Sequence, residues 1–352
     1  MAVDEARLEE LVGRIVTELG AAEGVALHRI GDERGIWKAM AGAGGLTVAE
    51  VATRSGCNER YVREWLSAEA IAGYVEYDAA TETFSISDEV AFTFADDESP
   101  LFMGGAWQVT CGLFDSVPKV TEAFRTGAGV AWADHNHDLF QGVERFFRPG
   151  YNANLIDGWL PALSGVVEKL QRGATVADVG CGHGASTIIL AQAFPASTFV
   201  GFDYHDASIV AARKAAAEAG VADRVSFEVA SAQSYPGTGY DLVCFFDCLH
   251  DMGDPDGAAR HVRSTLADDG TWMLVEPAAS DSLAESMNPV ARVYYASSTL
   301  LCLPASLADE GHRGLGNQVP DAQLAELTGA AGFSSCRRAT ETPFNRVFEV
   351  KP

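Results

Sequence analysis

The residues best suited to do chemistry lie in the C-terminal half of this 352-residue chain. Val176-Ala177-Asp178-Val179-Gly180-Cys181-Gly182-His183-Gly184 is an apolar run entering a glycine-rich turn, with a helix expected to open at Ala185 or Ser186. Glycines fold such a turn sharply and let a ligand approach the backbone. Nineteen residues past Gly184, Asp203 ends a second apolar run. A carboxylate there can accept hydrogen bonds from both hydroxyls of a ribose, so the pair points to a nucleoside-containing cofactor. Gly180-x-Gly182-x-x-Ala185 also satisfies the loose dinucleotide fingerprint, and on the glycines alone an NAD-dependent oxidoreductase stays open.

A further polar group follows the strand-like run Asp241 to Phe246, in Asp247-Cys248-Leu249-His250-Asp251-Met252. Open α/β sheets hold ligands beyond the carboxyl ends of their strands. A neutral imidazole there can take a proton near neutral pH, which makes His250 a candidate base. Asp251 is placed to orient its ring or to cap the following helix. Glu276, ending Leu274-Val275-Glu276-Pro277, is expected on the same sheet edge, orienting substrate, pairing with a base or facing solvent. Asp134-His135-Asn136-His137-Asp138 alternates histidine and carboxylate, but a single H-x-H is read as a polar loop or substrate contact, and no metal ligand is assigned.

The elements that must position these groups follow from periodicity. From Thr175 onward, short β runs (175–179, 198–203, 225–229, 241–246, 271–276) alternate with helical stretches, the grammar of α/β with a mainly parallel sheet. Ser335–Glu341 and Asn345–Val350 flank Thr342-Pro343-Phe344 as a closing antiparallel hairpin, which predicts a Rossmann-like, seven-stranded, mostly parallel sheet. Residues 281–319 are an insertion before that hairpin. Upstream, Leu8, Leu11, Val12, Ile15, Val16 and Leu19 mark an amphipathic first helix whose stripe needs a partner. Thr47-Val48-Ala49-Glu50 is a capping box, Gly56 a stop, Asn58 the next cap; two alternating runs, 74–77 and 84–87, complete a winged-helix pattern. The expected division is a mainly helical winged-helix domain (1–100), a helical connector (101–172) and a sheet domain (173–352).

Composition bounds the partners. Twenty-five basic against 49 acidic residues leave a net charge of −24, which repels nucleic acid and anionic lipid. The winged-helix stretch 47–90 is itself at −6, with Arg60 and Arg63 beside Glu59, Glu64 and Glu69, so nucleic acid is not an expected partner. Seven scattered cysteines without a C-x-x-C pair read as reduced thiols. The start lacks a signal-peptide pattern and no apolar run reaches membrane-spanning length, so the expected address is the cytoplasm, without membrane association.

The Asp178-x-Gly-x-Gly-x-Gly arrangement resembles that of class I S-adenosylmethionine (SAM) dependent methyltransferases, over residues 150–352. The resemblance implies that Asp178, Gly180, Cys181, Gly182 and Gly184 surround the methionine part, that Asp203 takes the ribose and that Tyr204 flanks the adenine. Many members carry an Asp for the adenine amino group where this chain has Ala230-Ser231-Ala232-Gln233, which leaves Ser231 or Gln233, with Ala232 between them, as substitutes. Phe246, Asp247 and Cys248 complete the expected cofactor site. The run ending in His250-Asp251 is similar to the His-Asp pair of small-molecule O-methyltransferases, which also carry an N-terminal winged-helix dimerisation domain. FFRPGYNANLIDGWLPAL (146–163), LHDMGDP (249–255) and ETPFNRVFEV (341–350) extend the resemblance, over nearly the whole chain, to actinobacterial winged-helix methyltransferases.

The expected activity is methyl transfer from SAM to a small apolar or aromatic acceptor, O-methylation favoured over N or C, by in-line displacement in which alignment does most of the work. Catalytic roles fall to His250, Asp251 and Glu276. Candidate substrate contacts are Trp107, His135, His137, Phe146 and Tyr151 in the aromatic-rich connector. Tyr294, Tyr295, Ser298 and His312 in the insertion join them, where Cys302 and Asn317 share the character of a substrate cover. A homodimer is expected from the first helix and the resemblance. A SAM-sensing winged-helix regulator is the other alternative.

Overall fold

A computed structural model describes residues 3–352, except the side chain of His137. The chain forms two compact units: one holds the residues up to Phe114 together with His137–Pro149, the other Asp115–Asn136 and Gly150–Pro352. The division falls inside two long helices, so residues 101–172 are shared between the units.

In the first unit, helix α1 (Glu5–Glu33) starts at Asp4, whose carboxylate accepts from the amides of Ala6 and Arg7. Its C-terminal part packs on a small core. Gly31 lies so near Trp37 and Trp65 that a Cβ would come within 2.6 Å of each. The two indoles donate to the carbonyls of His28 (3.2 Å) and Leu27 (2.9 Å). Residues 3–23, by contrast, are exposed throughout, including Leu8, Leu11, Val12, Ile15, Val16 and Leu19. After α2 (Ile36–Met40) come α3 (Val48–Ser55), whose capping box between Thr47 and Glu50 is formed, and α4 (Glu59–Ala72). Gly56 ends α3 in the left-handed region and Asn58 caps α4, as their residue types require. On α4, Arg60 pairs with Glu64 and Arg63 with Glu59. The wing is a two-stranded antiparallel ribbon, β1 (Glu76–Asp78) with β2 (Thr83–Ser85), shorter than the runs 74–77 and 84–87 suggest. Helix α5 (Asp88–Phe94) follows, then the first halves of α6 (Gly104–Thr126) and α7 (His137–Asn154), which approach closely at Gly105 and Gly142.

The second unit carries a seven-stranded sheet: β3 (Thr175–Val179), β4 (Thr198–Asp203), β5 (Val225–Val229), β6 (Tyr240–Phe246), β7 (Leu266–Pro277), β8 (Ser335–Glu341) and β9 (Asn345–Lys351). The order is β5-β4-β3-β6-β7-β9-β8, with β9 antiparallel to both neighbours and the other pairs parallel. This is the expected Rossmann-like fold class. β7 starts five residues earlier than its apolar run, because Leu266 pairs with Tyr240 across an irregularity in the ladder. α8 (Val166–Arg172) leads into β3, and the crossovers use α9 (Ala185–Ala193), α10 (Asp206–Glu218) and α11 (Pro255–Thr265). The insertion forms α12 (Pro289–Ser297), a π-turn at Ser298–Cys302 and α13 (Leu303–Ala308), and α14 (Asp321–Ala330) leads into the hairpin. Val243, Phe245, Trp272, Leu274 and Phe348 are buried in the sheet core, as strands covered on both faces require. No helix among the described residues is long and apolar enough to cross a membrane.

Gly201 sits mid-sheet on β4, where a Cβ would meet the Phe227 ring at 2.4 Å and Cys181 Sγ at 2.9 Å. Overpacking of this kind costs about 1–3 kcal/mol. Gly201→Ala is therefore expected to lower the melting temperature by several degrees, and Phe227→Leu in the same chain to recover part of the loss. An unchanged melting temperature for the single variant would contradict this packing.

Candidate active site

The glycine turn exists because three residues take backbone angles that side chains resist: φ is +75° at Gly180, +52° at Gly182 and +82° at Gly184. At Gly180 a Cβ would also collide with Cys248 Sγ at 2.7 Å, whereas the space above Gly182 is open. Phe202 O accepts from both the Gly180 (2.8 Å) and Cys181 (3.0 Å) amides, which locks the turn to β4. Asp178 fastens the helix that follows: its Oδ2 accepts from Ser186 Oγ and Thr187 Oγ1, both at 2.6 Å. It is fully buried with Oδ1 unpartnered, and burial raises its carboxyl to about 6 against the pull of the two hydroxyls.

Asp203 joins the turn to the end of β4. Its Oδ2 accepts from the Gly182 amide and its Oδ1 from the His205 amide, each at 2.9 Å. Burial raises this carboxyl, opposed by those same amides. A carboxylate oxygen has two acceptor sites, so each oxygen keeps one for a ligand hydroxyl. The open face over Gly182 and this half-used carboxylate fit the adenosine and amino-acid parts of a nucleoside cofactor. Tyr204 beside it is 60% exposed. In the next loop Ser231 Oγ pairs with Ser234 Oγ, Ala232 packs against the sheet core, and Gln233 donates to Asp254 O, leaving the Gln233 carbonyl as the acceptor side.

Past β6 the backbone turns through Asp247, a buried non-glycine residue at φ +51°. Asp tolerates this region better than most side chains. The turn is held by its amide on Val275 O (2.9 Å) and by Asn345 Nδ2 donating to its Oδ1 (2.8 Å). Asp247 Oδ2 has no partner, and burial pushes the carboxyl well above its ordinary range, with Glu276 adding to the push. Phe246 packs on Tyr151, ring centroids 5.3 Å apart, and burial, then Asp247, raise the Tyr151 phenol. Cys248 is half-buried against Val179 O.

The turn delivers His250 to Glu276. Nδ1 lies 2.6 Å from Glu276 Oε2, a carboxylate with no exposure, so Nδ1–H donates and Nε2 points away. Nε2 is 3.2 Å from Asp251 Oδ1. The ring thus takes its orientation from Glu276, and the helix after it is capped by Asp254 rather than Asp251. Burial lowers the basicity of His250, but Glu276 and Asp251 outweigh it and hold the imidazole well above its usual 6.5. Cys302, from the insertion, completes the group; burial and Asp251 push its thiol up to about 12.

The remaining candidates are more dispersed. Tyr294 OH donates to Phe344 O at 2.9 Å and feels Asp247; Ser298 Oγ accepts from the Asn317 amide at 3.1 Å; Tyr295 is 40% exposed. His312 is exposed, at φ +51°, and donates to Leu307 O. His135 is buried with Nδ1 2.7 Å from Ser116 Oγ, Lys119 holds Asp134 O, and Asn136 donates to Asp115, so that loop is tied locally. The side chain of His137 lies outside the described residues. Trp107 and Phe146 belong to the first unit, where Trp107 packs tilted on His28 and edge-on to Phe94, and Phe146 edge-on to Phe147. Asn345, which steadies Asp247, carried no signal beyond its place in the 341–350 run.

Residues 170–314 match a family described as a methyltransferase domain, and residues 22–95 a Rv2258c-like winged HTH domain. Both domains are present in this chain. The mitomycin 7-O-methyltransferase MmcR has the same fold at 18% identity, with a TM-score of 0.70 over 99% of both chains. An O-methyltransferase family protein from Burkholderia thailandensis gives 0.69 at 17% identity, covering 100% of this chain and 99% of its own. Human N-acetylserotonin methyltransferase, solved with SAM, gives 0.66 at 14% identity over 100% of this chain and 99% of its own. An uncharacterised Synechococcus protein is 32% identical over 98 residues, 27% of this chain and 23% of that one.

Proposed function

We propose that this protein is a SAM-dependent methyltransferase that places a methyl group on a hydroxyl oxygen of a small apolar or aromatic molecule. The observation that carries the reading is the Glu276–His250 dyad, built on the same sheet edge as the half-used carboxylate of Asp203. When bound, SAM supplies an electrophilic methyl carbon on a sulfonium whose departure leaves a neutral thioether. Asp203 holds the ribose hydroxyls, the Gly180–Gly184 backbone makes room for the amino-acid tail, and Tyr204 covers the adenine. Ser231 or Gln233 supplies an acceptor to the adenine amino group.

His250 acts through Nε2. With Nδ1–H committed to Glu276, the second nitrogen is the lone pair that receives the hydroxyl proton, and Glu276 stabilises the imidazolium that results. Asp251 adds negative charge on the Nε2 side. Tyr151, Tyr294 and Ser298 bound the acceptor with aromatic surface and a few polar tips. The acceptor oxygens of buried Asp247 and Glu276 and of half-buried Asp251 favour an acceptor that donates hydrogen bonds, which separates this site from one for a large polyanion.

Because the two carboxylates raise His250, the free site binds a proton on the imidazole until the pH exceeds the usual histidine range. kcat/KM for a hydroxyl acceptor is therefore expected to rise with pH through a titration above 6.5, and Glu276→Gln to move that limb downward. His250→Ala is expected to cost about 10²–10⁴-fold in turnover while leaving affinity for S-adenosylhomocysteine (SAH) within a few-fold. Steady-state kinetics across pH check this; turnover of His250→Ala within a few-fold of wild type would remove the base.

A second copy of the chain is the partner that the exposed stripe on α1 calls for. Burying a Leu, Ile or Val side chain is worth about 1.5–3 kcal/mol, so six of them are a strong drive to associate. Light scattering at micromolar concentration is expected to give a dimer, and Leu11→Glu with Ile15→Glu a folded monomer. A monomeric wild type would contradict the reading.

A further inference from the structure

We propose that His250 Nε2, Asp251 and Cys302 Sγ form a binding site for one divalent cation of the Zn²⁺ class, whose occupancy takes the imidazole out of service as a proton acceptor. The ligand atoms, one from each residue, all lie within 4.8 Å of one another. Tetrahedral zinc with bonds of about 2.0–2.3 Å needs its ligand atoms roughly 3.3–3.8 Å apart, within reach of small side-chain adjustments. Nε2 and Asp251 Oδ1 already stand 3.2 Å apart.

Three independent features point to an ion rather than to a chance cluster. Glu276 accepts from Nδ1 at 2.6 Å and so aims Nε2 at the group, the carboxylate–histidine–metal arrangement that supports most histidine ligands. Asn317 directs its Nδ2–H at Cys302 Sγ (3.6 Å) while its own amide is anchored on Ser298 Oγ, a donor placed to support a thiolate. Asp251 Oδ1 is buried and receives no hydrogen bond. The chemistry of the set selects the cation: imidazole and thiolate are soft enough to prefer zinc over magnesium or calcium, and thiolate plus carboxylate balance a dication. A water admitted past the Asp251 side chain, which keeps 24% exposure, would be the fourth ligand.

At neutral pH coordination breaks the S–H bond of Cys302 and the Nε2–H bond of the protonated imidazole and sends both protons to solvent, while the freed Nε2 lone pair goes to the metal. The base role of His250 is part of the proposed function, and the inhibitory consequence rests on it; the binding site does not. Its ligands sit 51 residues apart along the chain, on the turn after β6 and on the π-turn of the insertion, so no contiguous motif announces it.

The test is to titrate chelator-treated, reduced full-length protein with Co²⁺ under anaerobic conditions and follow absorbance. One equivalent per chain is expected to develop tetrahedral d–d bands with a thiolate-to-cobalt charge-transfer band, and Zn²⁺ to bleach both. Cys302→Ser is expected to lose the charge-transfer band, and Glu276→Gln to weaken Zn²⁺ binding about 10–100-fold. Asp251→Asn, close to isosteric, keeps the test valid should Cys302→Ser fold poorly, and is expected to weaken binding at least tenfold. One equivalent of Zn²⁺ is expected to suppress wild-type turnover until chelator is added. A charge-transfer band that survives in Cys302→Ser, or none in wild type, would overturn the site. If methyl transfer itself is absent, the cobalt bands still report on the site alone.

Discussion

The carboxylate of Asp203, bonded to the amide of Gly182, is the contact on which the second unit's site depends. It ties a turn made of left-handed glycines to the end of the neighbouring strand, fixing the distance between the two places that the proposed function assigns to a nucleoside cofactor. The tie works because Phe202 O holds the Gly180 and Cys181 amides from the same strand, and because Asp178 fixes the first turn of α9 from below through Ser186 and Thr187. Asp178 Oδ2, the Ser186 and Thr187 hydroxyls and the turn amides are each paired, which makes the turn rigid before any ligand arrives. A preorganised site does not spend binding energy on ordering itself.

The second cluster is set by register. β6 and β7 run parallel with Phe246 opposite Val275, so Glu276 is level with the residues just beyond β6. Asp247 turns the chain there at a positive φ, and His250 comes round onto Glu276. Burial works against a charged imidazole, and the neighbouring carboxylates restore it. The result is a buried histidine whose charged form is favoured by its two carboxylate neighbours.

Much of this was legible in the sequence, for a local reason. A strand, a glycine turn and a helix are consecutive, so Thr175–Val179, Gly180–Gly184 and Ala185 onward could be placed from periodicity and residue type, as could Asp203 at the end of β4. The Thr47–Glu50 capping box is equally local, and it forms. The strand β7 was underestimated because Ala267 to Gly270 is a polar stretch that reads as a turn, yet Leu266 still pairs with Tyr240. The partner of His250 was not legible: Asp251 is adjacent in sequence and competes for the role, but only the sheet register shows that Glu276 takes Nδ1. For the same reason Asn345 on Asp247 and Cys302 beside Nε2 could not be paired with their neighbours, since they come from β9 and from the insertion. The exposure of the α1 stripe was legible only as a need for a partner.

The central claim is that the Asp203–Gly182 corner is a ribose and amino-acid cradle for the methyl donor. Isothermal calorimetry with SAH on ligand-stripped protein tests it most directly, comparing wild type with Asp203→Ala. The account predicts one SAH per wild-type chain and a loss of affinity of about 10–100-fold in the variant, the size expected for hydrogen bonds to a charged group. Absence of SAH binding to wild type, or equal affinity in the two proteins, would contradict it.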